Sequence, residues 1–204
     1  MFVLYRLISY ILIMTVGLFL VWRFRKNGKK PLYIIVIFLS TVLHLLSMFV
    51  PVENYFATFV SPEDVFSYYT GNDNVKISIV GSNSNLVVGK NGNSDSMLIV
   101  PKKDKAEWSL DTGLHTQNIS QVLSDDAFVE LYQHKGTKDL YLVIVALNHH
   151  PLDVVDSHGN RFYQCIDNDG TAYAKYVYYA HIANADEDYW LSINGHKITD
   201  VILD

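Results

Sequence analysis

The chain opens with two long apolar runs separated by a short basic loop. The first run, residues 2–22, carries one charge, Arg6, and the second run, residues 32–50, carries none. Each run is long enough to cross a hydrocarbon core of about 30 Å at about 1.5 Å per helical residue. The pattern predicts a transmembrane α-hairpin over residues 1–51, with the lipid bilayer as its partner.

The loop over residues 23–31 predicts the orientation of this hairpin. Basic residues in short loops are retained on the cytoplasmic side, so the N-terminus and everything after residue 51 are expected outside. A cleaved signal peptide is the alternative for the first run, but that run exceeds the usual apolar core of ~7–15 residues and no A-x-A-like site follows it. The basic residues are Arg23, Arg25, Lys26, Lys29 and Lys30.

After a juxtamembrane linker over residues 52–60, the pattern changes to one short helix and then to strands. Ser61 suits an N-cap, Pro62 suits the first helical turn, and Asp64 lies three residues beyond the cap, where its side chain completes a capping box. Gly71 ends the predicted helix. The segments that follow are short, rich in Val, Ile, Tyr and Leu, and separated by turns. They are 75–80, 85–90, 96–101, 106–110, 118–123, 127–134, 139–148, 161–166, 173–182, 188–194 and 196–203.

This order of elements predicts the fold class of residues 61–204. Many short strands after one leading helix indicate a mainly antiparallel β domain, either a β-sandwich or an α+β sheet. Asn91-Gly92 and Asn194-Gly195 fit two-residue hairpin turns.

Charge divides the chain in the same place as the apolar pattern. Residues 1–51 carry +6 and residues 52–204 carry −11, which gives the net charge of −5. A composition that is 50% hydrophobic excludes a disordered chain, and the acidic domain excludes nucleic acid as a partner.

Two isolated titratable side chains each have two interpretations. His44 lies deep in the second apolar run, where a polar residue is a functional candidate, although a neutral imidazole bonded to hydroxyls across the hairpin is the simpler interpretation. Cys165 is the single cysteine, so the domain has no internal disulfide. A small buried apolar side chain is the favoured interpretation of Cys165.

Histidine and aspartate in the segment 149–158 are the candidate metal ligands. Metal sites need three or four ligands that converge on one point, and a loop allows such convergence. Solvated loop histidines are the alternative, because adjacent side chains point apart and no H-E-x-x-H or C-x-x-C motif accompanies them. No cofactor is predicted. The candidate ligands are His149, His150, Asp156 and His158.

Aromatic residues are concentrated near the C-terminus and form the candidate binding face. In an alternating strand, Tyr176 and Tyr178 share one face, while Tyr179 lies on the other. If only one face is core, the other suits a sugar, a peptide or an interface. The alternative is that both faces are covered. The candidate binding residues are Tyr176, Tyr178, Tyr189 and Trp190.

Several stretches resemble those of small membrane-anchored proteins of Gram-positive bacteria. They are residues 53–56 (ENYF), Phe59, residues 61–69 (SPEDVFSYY), the segment 77–90, the turn 136–141 and the ending 189–198. The resemblance covers nearly all of residues 53–198. It implies an anchor followed by an outer domain, and it carries over no catalytic residues.

Together these features favour a non-enzymatic function. No G-x-S-x-G, S-x-x-K, P-loop or G-x-G-x-x-G motif is present. The leading hypothesis is a membrane-anchored extracytoplasmic module that binds or senses a cell-envelope ligand, or that serves as an accessory subunit of another membrane protein. The alternative is an envelope hydrolase, metal-dependent through the segment 149–158. A third hypothesis is a bacteriocin-immunity or stress protein that acts through the hairpin.

Overall fold

The computed structural model describes residues 2–24, 30–55, 58–92, 94–104, 107–111, 115–167, 175–183, 188–199 and 201. The helical elements are α1 (Phe2–Phe24), α2 (Lys30–Phe49), a 3-10 turn (Val52–Tyr55) and α3 (Pro62–Thr70). The strands are β1 (Val75–Val80), β2 (Ser84–Asn91), β3 (Ser94–Asp104), β4 (Glu107–Trp108), β5 (Thr116–Leu123), β6 (Ala127–His134), β7 (Leu140–Ala146), β8 (Val154–Asp156), β9 (Tyr163–Asp167), β10 (Lys175–Ile182), β11 (Leu191–Ile193) and β12 (His196–Ile198).

The two N-terminal helices pack against each other and leave most of their apolar side chains exposed. The helix α1 is long and apolar enough to cross a membrane over Leu4–Arg23, whereas the apolar stretch of α2, Leu32–Ser47, is shorter. A Cβ on Gly17 would lie 2.8 Å from Val36 Cγ1, so a side chain at that position would separate the helices.

Part of the predicted topology signal falls outside the described residues. Arg23 lies in the last turn of α1, and Lys30 is the first residue of α2. Arg25, Lys26 and Lys29 belong to the segment that the structure does not describe.

The short leading helix α3 forms as its sequence predicts. The Ser61 hydroxyl accepts from the Asp64 N–H at 3.1 Å, and the Asp64 carboxylate accepts from the Ser61 N–H at 3.0 Å. Gly71 closes the helix with a φ of 76°, a conformation that favours glycine.

The strands form three antiparallel sheets. The first has the order β1-β2-β3-β4, the second β5-β6-β7-β10-β9, and the third β12-β11-β8. A mainly antiparallel β domain with one leading helix is therefore confirmed.

The core is divided among successive layers. The helix α3 packs Val65 and Phe66 on the outer face of the first sheet. The inner face of that sheet meets one face of the second sheet, which presents Val177 and Tyr179. The other face of the second sheet packs on the third sheet. Both faces of β10 are thus buried.

Each of the eleven predicted segments overlaps a strand, although β4, β11 and β12 are shorter than predicted, and β8 is the described strand that the sequence did not predict. It is only three residues long, in a stretch rich in His, Pro and Asp, and it forms by pairing with β11. Asn194 and Gly195 form the predicted two-residue turn, with φ values of 52° and 82°. The other predicted turn is displaced by one residue, because Asn91 still pairs with Ser94 as the last residue of β2.

Candidate functional site

Three metal-ligand side chains converge where the first sheet meets the edge of the second. Asp111, His115 and His134 each offer a donor atom, and these atoms all lie within 4.8 Å of one another. Asp111 Oδ1 is 3.0 Å from His115 Nδ1, and Asp111 Oδ2 is 3.3 Å from His134 Nε2. We call this group the metal corner.

The β5–β6 hairpin and the end of β4 position these three side chains. Thr116, next to His115, pairs with His134 across the hairpin. The Lys135 N–H donates to the His115 carbonyl at 2.7 Å and closes this end of the hairpin. Asp111 enters from the chain that leaves β4, just after the buried Leu110.

Burial and charge keep Asp111 in a form that can bind a cation. Its side chain is 3% exposed, and that of His134 is 9% exposed. Burial by itself raises the pKa of the Asp111 carboxyl, but the contacts with His134 and His115 outweigh burial and lower that pKa. The carboxylate is therefore anionic at neutral pH.

Two atoms that face each other in the metal corner have unused bonding capacity. Asp111 Oδ2 and His134 Nε2 are buried, and neither has a hydrogen-bond partner among the described residues, although they are only 3.3 Å apart. The other ring nitrogen of His134, Nδ1, is also buried without a partner there. Asp111 Oδ2 and His134 Nε2 thus lie at ion-pair distance from each other without the geometry of a hydrogen bond.

The separation of these two atoms is that of two ligands of one ion. In a tetrahedral site with bonds of about 2.0–2.1 Å, neighbouring ligand atoms lie about 3.3–3.4 Å apart. A cation bound by Asp111 Oδ2 and His134 Nε2 would use both of these donor atoms. Imidazole nitrogen together with carboxylate oxygen suits zinc and other first-row transition ions.

The metal corner opens on a cavity of about 220 Å³. His115 lies at its accessible side, with 55% of its side chain exposed. Two of the three donor side chains are thus buried, and the third is accessible from solvent. Other residues that line the cavity are Pro51, Asn54, Pro101, Ser109 and Leu110.

The four ligands predicted from the sequence have other surroundings. Among the described residues, the metal corner is the one group of three or more such side chains whose donor atoms all lie within 4.8 Å of one another, and it contains none of the four. Asp156 accepts from the Asn160 N–H at 2.8 Å and from the Tyr189 hydroxyl at 3.1 Å. His158 Nδ1 lies 3.1 Å from the Ser157 hydroxyl. His149 and His150 are exposed.

The predicted aromatic face is largely interior. Tyr176 and Tyr178 lie on the same face of β10, as alternation predicts, but that face packs on the third sheet. Tyr178 and Tyr189 are buried, and the Tyr178 hydroxyl accepts from the Leu152 N–H at 2.6 Å. Trp190 is partly exposed, and Lys197 Nζ lies 5.1 Å from the centre of its ring. The alternative that both faces are covered therefore describes this strand.

The two isolated titratable residues have structural contacts. The His44 ring packs against Tyr10 with 4.6 Å between ring centres. The Cys165 thiol is buried and donates to Asp95 Oδ2 at 3.4 Å. Burial, followed by this hydrogen bond, raises the pKa of the Cys165 thiol, which keeps it protonated and unreactive.

The metal corner could have been found in the sequence by counting the hairpin register. The predicted strands 118–123 and 127–134 are separated by a tight turn. Pairing counted outward from the Leu123–Phe128 pair at that turn brings His134 opposite Gln117, and the irregular register between Asn118 and Ser120 moves it to Thr116, beside His115. Asp111 is four residues before His115. Ligands that are close together along the chain are visible in the sequence, whereas this group is assembled across strands and was therefore not predicted.

Comparison with family models, with curated proteins and with solved structures gives no match for this chain.

Proposed function

We propose that this chain is a membrane-anchored module that binds a divalent transition-metal ion of the zinc class at Asp111, His115 and His134. The observation that carries the proposal is the buried pair Asp111 Oδ2 and His134 Nε2, which lie 3.3 Å apart without a hydrogen bond among the described residues, at the spacing of two ligands of one ion. The exposed His115 makes the ion exchangeable, which suits sensing or buffering of metal rather than a purely structural role.

Membrane attachment is part of the proposal. The apolar side chains around α1 and α2 lie largely uncovered by the rest of the chain, as expected for a surface that lipid covers. In this arrangement both helices cross the membrane, the loop 23–31 is cytoplasmic and the metal corner lies outside. A reporter fused after Asp204 tests the arrangement, since alkaline phosphatase activity is expected outside and fluorescence of a cytoplasmic reporter would contradict it.

Metal analysis tests the site itself. Full-length protein, purified without a histidine tag and dialysed against micromolar zinc, is expected to retain about one ion per chain. His115→Gln and Asp111→Asn should lose that ion, whereas His150→Gln and His158→Gln should keep it. No retained zinc in the wild type, or retention in both metal-corner variants, would contradict the proposal.

Hydrolysis at the same ion is the second candidate function. Three protein ligands leave a coordination position free, and the cavity gives a substrate access to it. The described lining of the cavity offers no second carboxylate as a general base, so binding is the better-supported function. Turnover of simple ester substrates by the zinc-loaded wild type, but not by His115→Gln, would favour the hydrolase.

A further inference from the structure

The 3-10 turn between the membrane helices and the β domain connects the metal corner to α1. On one side, Glu53 receives a hydrogen bond from Arg6 Nε at 3.0 Å, and a second Arg6 nitrogen binds its other oxygen. The two side chains are only 5% and 13% exposed. The Tyr68 hydroxyl of α3 donates to the same carboxylate at 3.2 Å.

The next residue of this turn binds the backbone beside the metal corner. Asn54 Nδ2 donates to the Leu110 carbonyl at 2.9 Å, and the Leu110 N–H donates to Asn54 Oδ1 at 2.7 Å. Leu110 directly precedes the ligand Asp111. Asn54 and Pro51 also line the cavity of the metal corner.

Two adjacent residues of one turn therefore reach in opposite directions. Glu53 fixes the turn to α1 and α3, and Asn54 fixes it to the segment after β4 that carries Asp111. Because the two contacts share a short hydrogen-bonded turn, a shift of Arg6 relative to the domain would displace Asn54 and the backbone that orients Asp111. The reverse also holds, since coupling between two sites is reciprocal.

We propose that metal occupancy and the attachment of the domain to α1 are energetically coupled through Glu53 and Asn54. The inference rests on the proposed metal binding and adds its regulation. Binding or loss of the ion would change how strongly the domain is held to α1, a helix that is proposed to cross the membrane. Glu53 and Asn54 act as positioning residues, and neither is a ligand.

The test is the affinity for zinc of the full-length protein in detergent, measured by competition with a chromogenic chelator. Glu53→Gln keeps the shape of the side chain, removes its charge and leaves the cavity lining unchanged. We expect it to weaken zinc binding about 5- to 20-fold, within the usual range for coupled sites. Asp73→Asn neutralises an exposed carboxylate in the turn after α3 and should leave the affinity unchanged.

Two further measurements separate coupling from general damage. The cobalt-loaded spectrum of Glu53→Gln should match that of the wild type, because the three ligands are intact. The metal-free thermal midpoint identifies a variant that fails to fold, and Tyr68→Phe then replaces it, since this change removes only one hydrogen bond to Glu53.

The outcomes distinguish the two proposals. Weaker zinc binding by Glu53→Gln, with an unchanged cobalt spectrum, supports the coupling. Zinc binding by the wild type and by folded Glu53→Gln with affinities within twofold of each other overturns the coupling and leaves the metal corner in place. Failure of the wild type to bind zinc overturns the metal corner, and the coupling falls with it.

Discussion

Two buried aspartates of this protein lie beside histidines, and they differ in how completely they are bonded. Asp139 accepts four hydrogen bonds, from the Ser82 N–H at 2.8 Å, the Asn83 N–H at 2.7 Å, the Ser84 hydroxyl at 2.8 Å and His181 Nε2 at 3.2 Å. Asp111 contacts two histidines, and one of its oxygens has no hydrogen-bond partner among the described residues.

The carboxylate with more hydrogen bonds, that of Asp139, also has less free space around it. A Cβ on Gly81 would lie 2.5 Å from the Tyr141 hydroxyl and 2.8 Å from Asp139 Cγ, so the Asp139 corner is full. Asp111 instead faces a cavity of about 220 Å³. An aspartate beside histidine thus joins two sheets at Asp139, whereas at Asp111 the same combination leaves room for a ligand.

The largest expected effect on stability comes from removing the fully hydrogen-bonded carboxylate of Asp139. Asp139→Ala should lower the free energy of unfolding by about 3 kcal/mol, because it removes the acceptor of the buried Ser84 hydroxyl and of two N–H groups in the β1–β2 turn. Urea denaturation of the metal-free protein measures the loss, and Asp125→Ala, at an exposed aspartate, is the control. A loss below about 1 kcal/mol would mean that the hydrogen bonds to Asp139 contribute little to stability, so that the two aspartates do not differ as proposed.

The carboxylate of the metal corner, in contrast, should contribute to stability mainly when zinc is bound. With free zinc at 100 times its dissociation constant, the wild type should gain about 2.7 kcal/mol of stability. Asp111→Asn should lose nearly all of this gain, because the neutral amide is a poor ligand, while its metal-free stability changes by less than about 1 kcal/mol. Urea midpoints with zinc and with a chelator measure both quantities. A zinc-dependent gain that survives in Asp111→Asn would place the ion elsewhere.

Local patterns predicted most of the fold. The Ser61–Asp64 capping box, the turn at Asn194-Gly195 and the alternation along β10 depend on neighbours in sequence, and the structure contains all three. Strand β8 escaped prediction because three residues carry too little pattern, and its absence left the third sheet incomplete. The face of Tyr176 and Tyr178 then looked like a possible exposed surface.

The metal corner depends on tertiary structure. His115 and His134 meet only through the register of a hairpin, and Asp111 reaches them because the chain crosses from the first sheet to the second at that point. A search for metal ligands at short spacing along the sequence predicts neither contact. It did find the segment 149–158, where Asp156 is bonded to Asn160 and Tyr189.

The difference in unfolding free energy between the wild type and Asp139→Asn should become smaller at acidic pH. Burial by itself raises the pKa of the Asp139 carboxyl, but the hydrogen bonds from Asn83, Ser84, Ser82 and His181 lower it further than burial raises it. A depressed pKa in the folded state contributes stability that is complete above the ordinary pKa of about 3.9 and is lost as the pH falls through the depressed value.

Urea midpoints between about pH 6 and pH 2.5, measured without metal, test this sign. The wild type should lose its advantage over Asp139→Asn as the pH falls, whereas Asp73→Asn should follow the wild type throughout. A difference that widens in acid would mean that the folded state raises the pKa of the Asp139 carboxyl.

The smallest expected effect extends the comparison to the aromatic residues. Tyr178→Phe removes the hydroxyl that accepts from the Leu152 N–H, so it should cost about 1 kcal/mol of stability. Tyr176→Phe, on the same face but only partly buried, should change stability by less than about 0.5 kcal/mol. Neither variant should alter zinc affinity, because both side chains belong to the interface with the third sheet. A loss of zinc affinity in Tyr178→Phe without a loss of stability would mean that this interface, like the metal corner, serves a ligand.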